Sequence, residues 1–439
     1  MAVSLVCVEC GREHEPSGIW RCEGCSGMLE VRISEVEISR EELDARLSYG
    51  NTHYSSGVWR YKELIHPLIE EKMIVSRHEG NTGLYTHSRV SEFSGIKELY
   101  MKHEGENPTG SFKDRGMTVG ISEAVRLGSR YVGCASTGNT SSSLASYASV
   151  AGISSVVFVP SGKIALGKLS QTLAYGAKAI QINGNFDDAM RLVQEAAERL
   201  GIYLLNSINP WRIEGQKAMA FELIQQLGWE SPDWICLPAG NLGNTSAVGK
   251  ALSELVGLGL IEDMPRIAAV QADGASPFYN MWKNGYSEIR PVEPHTLATA
   301  ISIGNPVSWK KAMKSIKDTN GVVERVTDQE ILDAKAVIDS SGIGCEPASA
   351  ASLAGAKRLR SANIIKEGES VACILTGSML KDPEITLNYH MSRLDGIDAR
   401  HMNAPIAVEA DIDKIVEVLG KNAKELPLDK GEVTPLEIL

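Results

Sequence analysis

Seven short runs rich in β-branched and other apolar residues recur along the chain, at 131–135, 154–159, 180–182, 203–205, 234–237, 267–271 and 371–375. Longer amphipathic stretches separate them. A strand, a crossover helix and a further strand in register make a parallel pair, so repeated alternation predicts parallel sheets covered by helices on both faces. Strands buried on both faces must be apolar almost throughout, and most of these runs are. The clearest helix is predicted over 187–200, where Ala189, Met190, Val193, Ala196, Ala197 and Leu200 fall on one stripe. The expected fold class is therefore α/β, with doubly wound parallel sheets. At 439 residues the chain has room for about three domains.

A formal charge of −11 and a pI near 5.5 argue against intrinsic binding to nucleic acid or an anionic membrane. No long apolar run suits a membrane span, and the N-terminus lacks a basic stretch followed by an apolar one. A cytoplasmic protein is expected, with neither nucleic acid nor membrane as partner. Of the eight cysteines, Cys134, Cys236, Cys345 and Cys373 stand singly in apolar runs and read as buried small hydrophobes. The other four form two knuckles, Cys7-x-x-Cys10 and Cys22-x-x-Cys25. Four thiolates at this spacing suit tetrahedral zinc in a ribbon, and a full thiolate set leaves no open position for catalysis. Reduced, unliganded thiols are the alternative. Only Arg12 and Arg21 are cationic between Cys7 and Cys25, so the ribbon is not expected to hold nucleic acid.

Three turns carry candidate chemistry. The first is Asn107-Pro108-Thr109-Gly110-Ser111-Phe112-Lys113-Asp114-Arg115-Gly116, between a strand-like run and a helix-like one over 117–127. Pro108 and Gly110 set a turn, and Ser111 with Asp114 has the spacing of a capping pair. Lys113 then falls in the first helical turn, where the helix dipole disfavours an ammonium and suits Schiff-base chemistry. An exposed first-turn lysine is the bland reading of the same residue. The second turn is Ser136-Thr137-Gly138-Asn139-Thr140-Ser141, a strand-to-helix junction offering hydroxyls and free amides to an anion. The third, Gly240-Asn241-Leu242-Gly243-Asn244, lets successive N–H groups curl round one phosphate at a helix start, without a dinucleotide or Walker pattern.

The lysine motif resembles that of the threonine synthases, pyridoxal-phosphate enzymes of the tryptophan-synthase-β fold type. The resemblance runs from about residue 7 to about residue 403. It implies two doubly wound domains of PLP fold type II with pyridoxal 5'-phosphate in the cleft between them, and a small N-terminal zinc ribbon. It implies that Lys113 forms the Schiff base with the cofactor, that Asn139 bonds its ring 3-oxygen, and that Gly240, Asn241, Leu242, Gly243 and Asn244 hold its phosphate. Thr376, in Thr376-Gly377-Ser378-Met379-Leu380-Lys381-Asp382, would face the pyridine nitrogen. A hydroxyl there does not hold that nitrogen protonated, which suits elimination and replacement. Ser136, Thr137 and Thr140 would hold the substrate α-carboxylate, and Lys168, Asn209 and Arg212 are candidates for a substrate phosphate. Glu346-Pro347-Ala348-Ser349 is also family-like and reads as a helix start packed near the cofactor. Two positions depart from the family: Gly83 stands where proline is usual, and Ser378 where histidine is common.

The implied reaction is conversion of O-phospho-L-homoserine and water to L-threonine and phosphate. A threonine/serine dehydratase or an O-phosphoserine-dependent sulfhydrylase is the nearest competitor, and a non-catalytic zinc-ribbon adaptor a more distant one. Residues 1–35 are expected to form the ribbon and lead-in, and 36–405 the catalytic region, with its smaller subdomain at about 118–210. Residues 406–439 would be an acidic tail, 31–75 a charged connector, and the assembly a homodimer.

Overall fold

The structure, a computed structural model, describes residues 2–160, 166–183, 186–425 and 437–438. Strands β1 (Ala2–Cys7), β2 (Glu13–His14) and β3 (Leu29–Ser34) make a small antiparallel sheet in the order β2-β1-β3. A seven-stranded sheet contains β4 (Leu84–Thr86), β5 (Leu99–His103), β10 (Trp234–Pro238), β11 (Arg266–Ala272), β12 (Val322–Val326), β13 (Val371–Leu375) and β14 (Glu437–Ile438). Its order is β12-β11-β10-β13-β5-β4-β14. The run from β12 to β5 is parallel, and β4 and β14 are added antiparallel. The third sheet is wholly parallel and comprises β6 (Tyr131–Ala135), β7 (Ser154–Pro160), β8 (Lys178–Ile182) and β9 (Ile202–Leu204), in the order β8-β7-β6-β9.

All seven predicted runs are strands, within one or two residues at each end. The central ones are buried throughout, as in Trp234–Pro238 and Val371–Leu375. Val322–Val326 escaped the sequence reading because it is an edge strand with Glu324 and Arg325 in its middle. The predicted connector at 31–75 needs correction. Val58, Trp59, Tyr61, Leu64 and Ile65 are buried in the main core, and the Trp59 indole N–H donates to Thr118 Oγ1 at 2.8 Å. Charged residues between those anchors had masked them. Cys134, Cys236, Cys345 and Cys373 are buried, as expected. The tail carries a helix, Ile412–Glu425, largely exposed over residues 412–420, and its end pairs with β4. Among the described residues, no helix is long and apolar enough to cross a membrane.

Candidate active site

The lysine turn is fastened to the end of β13. Phe112 N donates to Thr376 O at 3.0 Å, Ser378 N to Gly110 O at 2.9 Å, and Ser111 bridges Gly377. Gly110 has φ +83°, a conformation disfavoured for a residue with a Cβ, and it lets the chain fold back before the helix Lys113–Arg126. The expected Ser111–Asp114 capping pair does not form. The Asp114 carboxylate instead accepts from Thr109 N, Thr109 Oγ1 and Ser143 Oγ, each at 2.6 Å, while the Ser111 backbone bridges Gly377 and its Oγ has no partner among the described residues. Burial pushes the Asp114 carboxyl up to about 6, against those three donors.

Lys113 is half-buried, with Nζ 4.1 Å from the centroid of the Phe112 ring and no hydrogen-bond partner among the described residues. Its pKa is brought down to about 7, first by burial and then by the Arg212 guanidinium, with Glu346 opposing. The lowering expected from the helix dipole therefore has a different main source. Arg212 comes close because the lysine helix crosses the helix Pro210–Gln226 on glycines. A Cβ on Gly116 would lie 2.7 Å from Arg212 O, and one on Gly215 2.1 Å from Arg115 O. Arg212 is buried, its Nη1 donates to Leu205 O at 3.0 Å, and its Nε has no partner. No carboxylate pairs with it among the described residues. Burial lowers its pKa to about 10.

Across the cleft, Ser136, Thr137, Asn139 and Thr140 are half-buried where β6 turns into the helix Asn139–Ala151. Asn139 Nδ2 donates to both Glu346 carboxylate oxygens, at 3.2 and 3.0 Å. Thr376 Oγ1 donates to Glu346 Oε1 at 3.2 Å and lies 3.0 Å from Ser349 Oγ. Glu346 thus joins the two side chains expected to flank the cofactor ring, and Ser349 braces the second. A carboxylate beside Thr376 favours a protonated neighbour, which modifies the electronic argument drawn from the threonine alone.

The glycine turn after β10 has the features of an oxyanion cup. Leu242 has φ +65°, a left-handed conformation that is strained for leucine and converges neighbouring amides. The helix Gly243–Gly257 begins there, so its first N–H groups lack in-helix acceptors. Around it the buried Asn244 Oδ1 and Nδ2, Thr245 Oγ1 and Ser308 Oγ have no partner. Buried polar atoms normally do, and the three donors among them, Asn244 Nδ2, Thr245 Oγ1 and Ser308 Oγ, suit the oxygens of a phosphate. Asn241 departs from the expected role. Its side chain donates to Ser207 Oγ at 2.7 Å and accepts from Val307 N at 2.9 Å, so its contribution to the cup is confined to its backbone.

The structure brings Asn139 and Thr376 together on the Glu346 carboxylate, sets Lys113 near enough to feel both Glu346 and Arg212, and places the cup at the neighbouring strand end. Asn209 is not aimed at a ligand. Its Oδ1 caps its own helix by accepting from Arg212 N at 3.2 Å, and its Nδ2 donates to Leu204 O at 3.0 Å. The Lys168 side chain lies outside the described residues. Sequence reasoning assigned no role to Ser308, Lys381 or the Glu346 carboxylate. Lys381 Nζ reaches Ser142 Oγ at 3.1 Å and Gln171 Oε1 at 2.5 Å, linking the β13 loop to the other side of the cleft. Its place in the Thr376–Asp382 motif was the available signal. A separate cluster joins the ligand atoms of Cys7, Cys10, Cys22 and Cys25, all within 4.8 Å of one another.

Residues 75–377 match the family model described as pyridoxal-phosphate dependent enzyme, and the chain belongs to that family. Within it, the chain belongs with the threonine synthases. It is 45% identical over 416 residues to the threonine synthase of Methanocaldococcus jannaschii, covering 94% of this chain and 98% of that one. It is 38% identical over 396 residues to threonine synthase 2, chloroplastic, of Arabidopsis thaliana, covering 88% and 77%. The solved threonine synthase of Escherichia coli superposes with TM-score 0.65 at 18% identity, over 95% of this chain and all of that one, a likeness of fold. The architecture is PLP fold type II.

Proposed function

We propose that this chain converts O-phospho-L-homoserine and water to L-threonine and phosphate with pyridoxal 5'-phosphate. The observation that supports the reading is that two separate groups of residues are suited to anions. The cup at Gly240 to Thr245 is suited to the cofactor's phosphate. The buried Arg212, without a carboxylate partner beside Lys113, is suited to a second phosphate on the substrate. A dehydratase acting on serine or threonine has no need of the second.

Bound pyridoxal phosphate supplies an electron sink for negative charge developed at the substrate's α-carbon. Lys113, neutral in good part near pH 7, holds the cofactor and is the base that takes the α-proton and returns protons along the substrate. Asn139 and Thr376 orient the ring through its 3-oxygen and nitrogen, and Glu346 keeps both side chains in place. Ser136, Thr137 and Thr140 hold the α-carboxylate. Arg212 steadies the departing phosphate, Asn209 positions Arg212 through the helix cap, and Lys168 remains a further cation for the same group.

The deciding assay offers phosphohomoserine, homoserine, phosphoserine and threonine to one preparation and follows phosphate, threonine and 2-oxobutanoate. Threonine and phosphate should form together, and only from phosphohomoserine. If 2-oxobutanoate from threonine were the fastest product, the reading would fail. Arg212→Gln should lower kcat/KM for phosphohomoserine by about ten- to a hundredfold, the size of a lost charge-assisted contact. Cofactor content should not change. An equal loss for every substrate would mean that Arg212 serves the fold and not the phosphate.

The four-cysteine cluster is read as a structural zinc centre in residues 1–35, preceding a catalytic region at 36–405 and a tail at 406–439. Metal analysis should find about one zinc per chain. Cys22→Ser should lower the melting temperature well before it lowers turnover of the surviving protein. Metal-free protein of undiminished stability would contradict that role. A homodimer and a cytoplasmic location complete the reading, to be checked by light scattering and cell fractionation.

A further inference from the structure

The cysteine ribbon lies on the seam between the two large sheets. Leu5, Leu29 and Val31 are buried in the same core as Trp211, Phe221 and Ile235, on the side of the seven-stranded sheet. Trp20 and Met28 pack against a different core, formed by Ala135, Val156, Phe158 and Leu204 of the four-stranded sheet with Val193 and Ile208. Ile19 and Trp20 are adjacent in sequence and serve different cores. Polar contacts repeat the division. Glu9 pairs with Lys310 at 2.5 Å, in the first turn of the helix that follows Ser308 of the phosphate cup. The Pro16 carbonyl accepts from Arg126 Nη2 at 3.1 Å, at the last turn of the lysine helix.

We propose that the ribbon is a strap that sets the separation of the two sheets, and that Trp20 is its positioning residue for the cleft. Thr376 and the cup are carried by the seven-stranded sheet, to which the turn before Lys113 is fastened through Phe112 N and Thr376 O, whereas the Ser136 to Thr140 loop is carried by β6 of the other, with Met117, Ile121 and Ala124 of the lysine helix packed in that sheet's core. The distance across the reacting groups therefore depends on how the sheets are held. Trp20 sits between Cys10 and Cys22, so closing the thiolate cluster ties a short loop and fixes where its indole can rest. Misplacement of reacting groups by about 1 Å costs on the order of a hundredfold in rate, so a contact remote from the chemistry can govern it. Only the kinetic part of the test rests on the function proposed above.

The test compares full-length protein loaded with zinc and pyridoxal phosphate as wild type, Trp20→Ala and Trp20→Phe. Trp20→Ala should keep its zinc and cofactor. Its amides in β6, β9 and the end of the lysine helix should exchange hydrogen at least about fivefold faster, with β10 and β11 unchanged. kcat for phosphohomoserine should fall by about tenfold or more with a smaller change in KM, and Trp20→Phe should restore both. Stripping zinc from the wild type with a chelator should speed exchange in the same segments. Unaltered exchange in β6 and β9 of Trp20→Ala, or equal loosening of β10 and β11, would overturn the strap. If Trp20→Ala does not fold, Met28→Ala on the same core takes its place with the same outcomes. If the wild type does not use phosphohomoserine at all, the proposed reaction fails while the exchange data still decide the strap.

Discussion

Lys113→Ala is expected to lose turnover by at least about a thousandfold, because one side chain both holds the cofactor and moves the proton. The cup should still take up free pyridoxal phosphate weakly. Borohydride treatment of the native protein should fix the cofactor to the peptide containing Lys113, and label on Lys102 or Lys381 would defeat the assignment. The pH dependence follows from the lysine's surroundings. Only a neutral amine attacks the aldehyde, and burial together with Arg212 brings Lys113 down to about 7. Cofactor uptake by the unloaded protein should therefore accelerate as pH rises through about 7 and level off above it. Arg212→Gln removes a neighbouring positive charge, so it should move that midpoint upward. Stability shows the same group with a defined sign. Between about 7 and 10.5 the unfolded chain binds a proton at this lysine that the folded chain does not, so stability should rise with pH across that window. Lys113→Met should flatten the rise.

The parts legible in the sequence were those in which local composition and tertiary role coincide. Val371–Leu375 is apolar throughout because both of its faces are covered, so the run announces itself. Gly240 to Asn244 combines glycines with a strand before and a helix after, which is most of what a cup requires. Other features depend on contacts that no local pattern carries. Asn209 and Arg212 looked alike as polar candidates. One is a helix cap and the other a buried cation, a difference set by the glycine crossing at Gly116 and Gly215. Asp114 takes its donors from Thr109 and from Ser143 on another helix, 29 residues away, and no local pattern carries that second contact. Glu346 read as a helix start, and it is one. Its carboxylate meets Asn139 and Thr376 because three distant segments converge on it.

The largest stability effect is expected behind the lysine helix, where Glu222 is buried between two cations. Its Oε1 accepts from Lys102 Nζ at 2.6 Å, Arg115 Nη2 at 2.7 Å and Thr82 N at 3.0 Å, and its Oε2 accepts from Asn81 N at 2.8 Å. Arg115 also pairs with Glu104 at 2.6 Å, so two buried cations balance two buried anions. Burial alone would raise the Glu222 carboxyl, but Arg115 and Lys102 outweigh it and hold it below the ordinary carboxylate range. Its contribution is thus complete above pH 4.5 and declines as pH falls below that value. Glu222→Ala leaves one buried positive charge uncompensated and two backbone N–H groups unpaired, and should cost about 3–5 kcal/mol in denaturant unfolding at neutral pH. The charge account makes a second demand. Adding Lys102→Met to Glu222→Ala restores the balance of Arg115 with Glu104, so the double variant should be more stable than Glu222→Ala alone. If Lys102→Met instead adds its full separate cost, the two residues do not act as a pair, and a loss below about 0.5 kcal/mol for Glu222→Ala would mean that the network carries no stability.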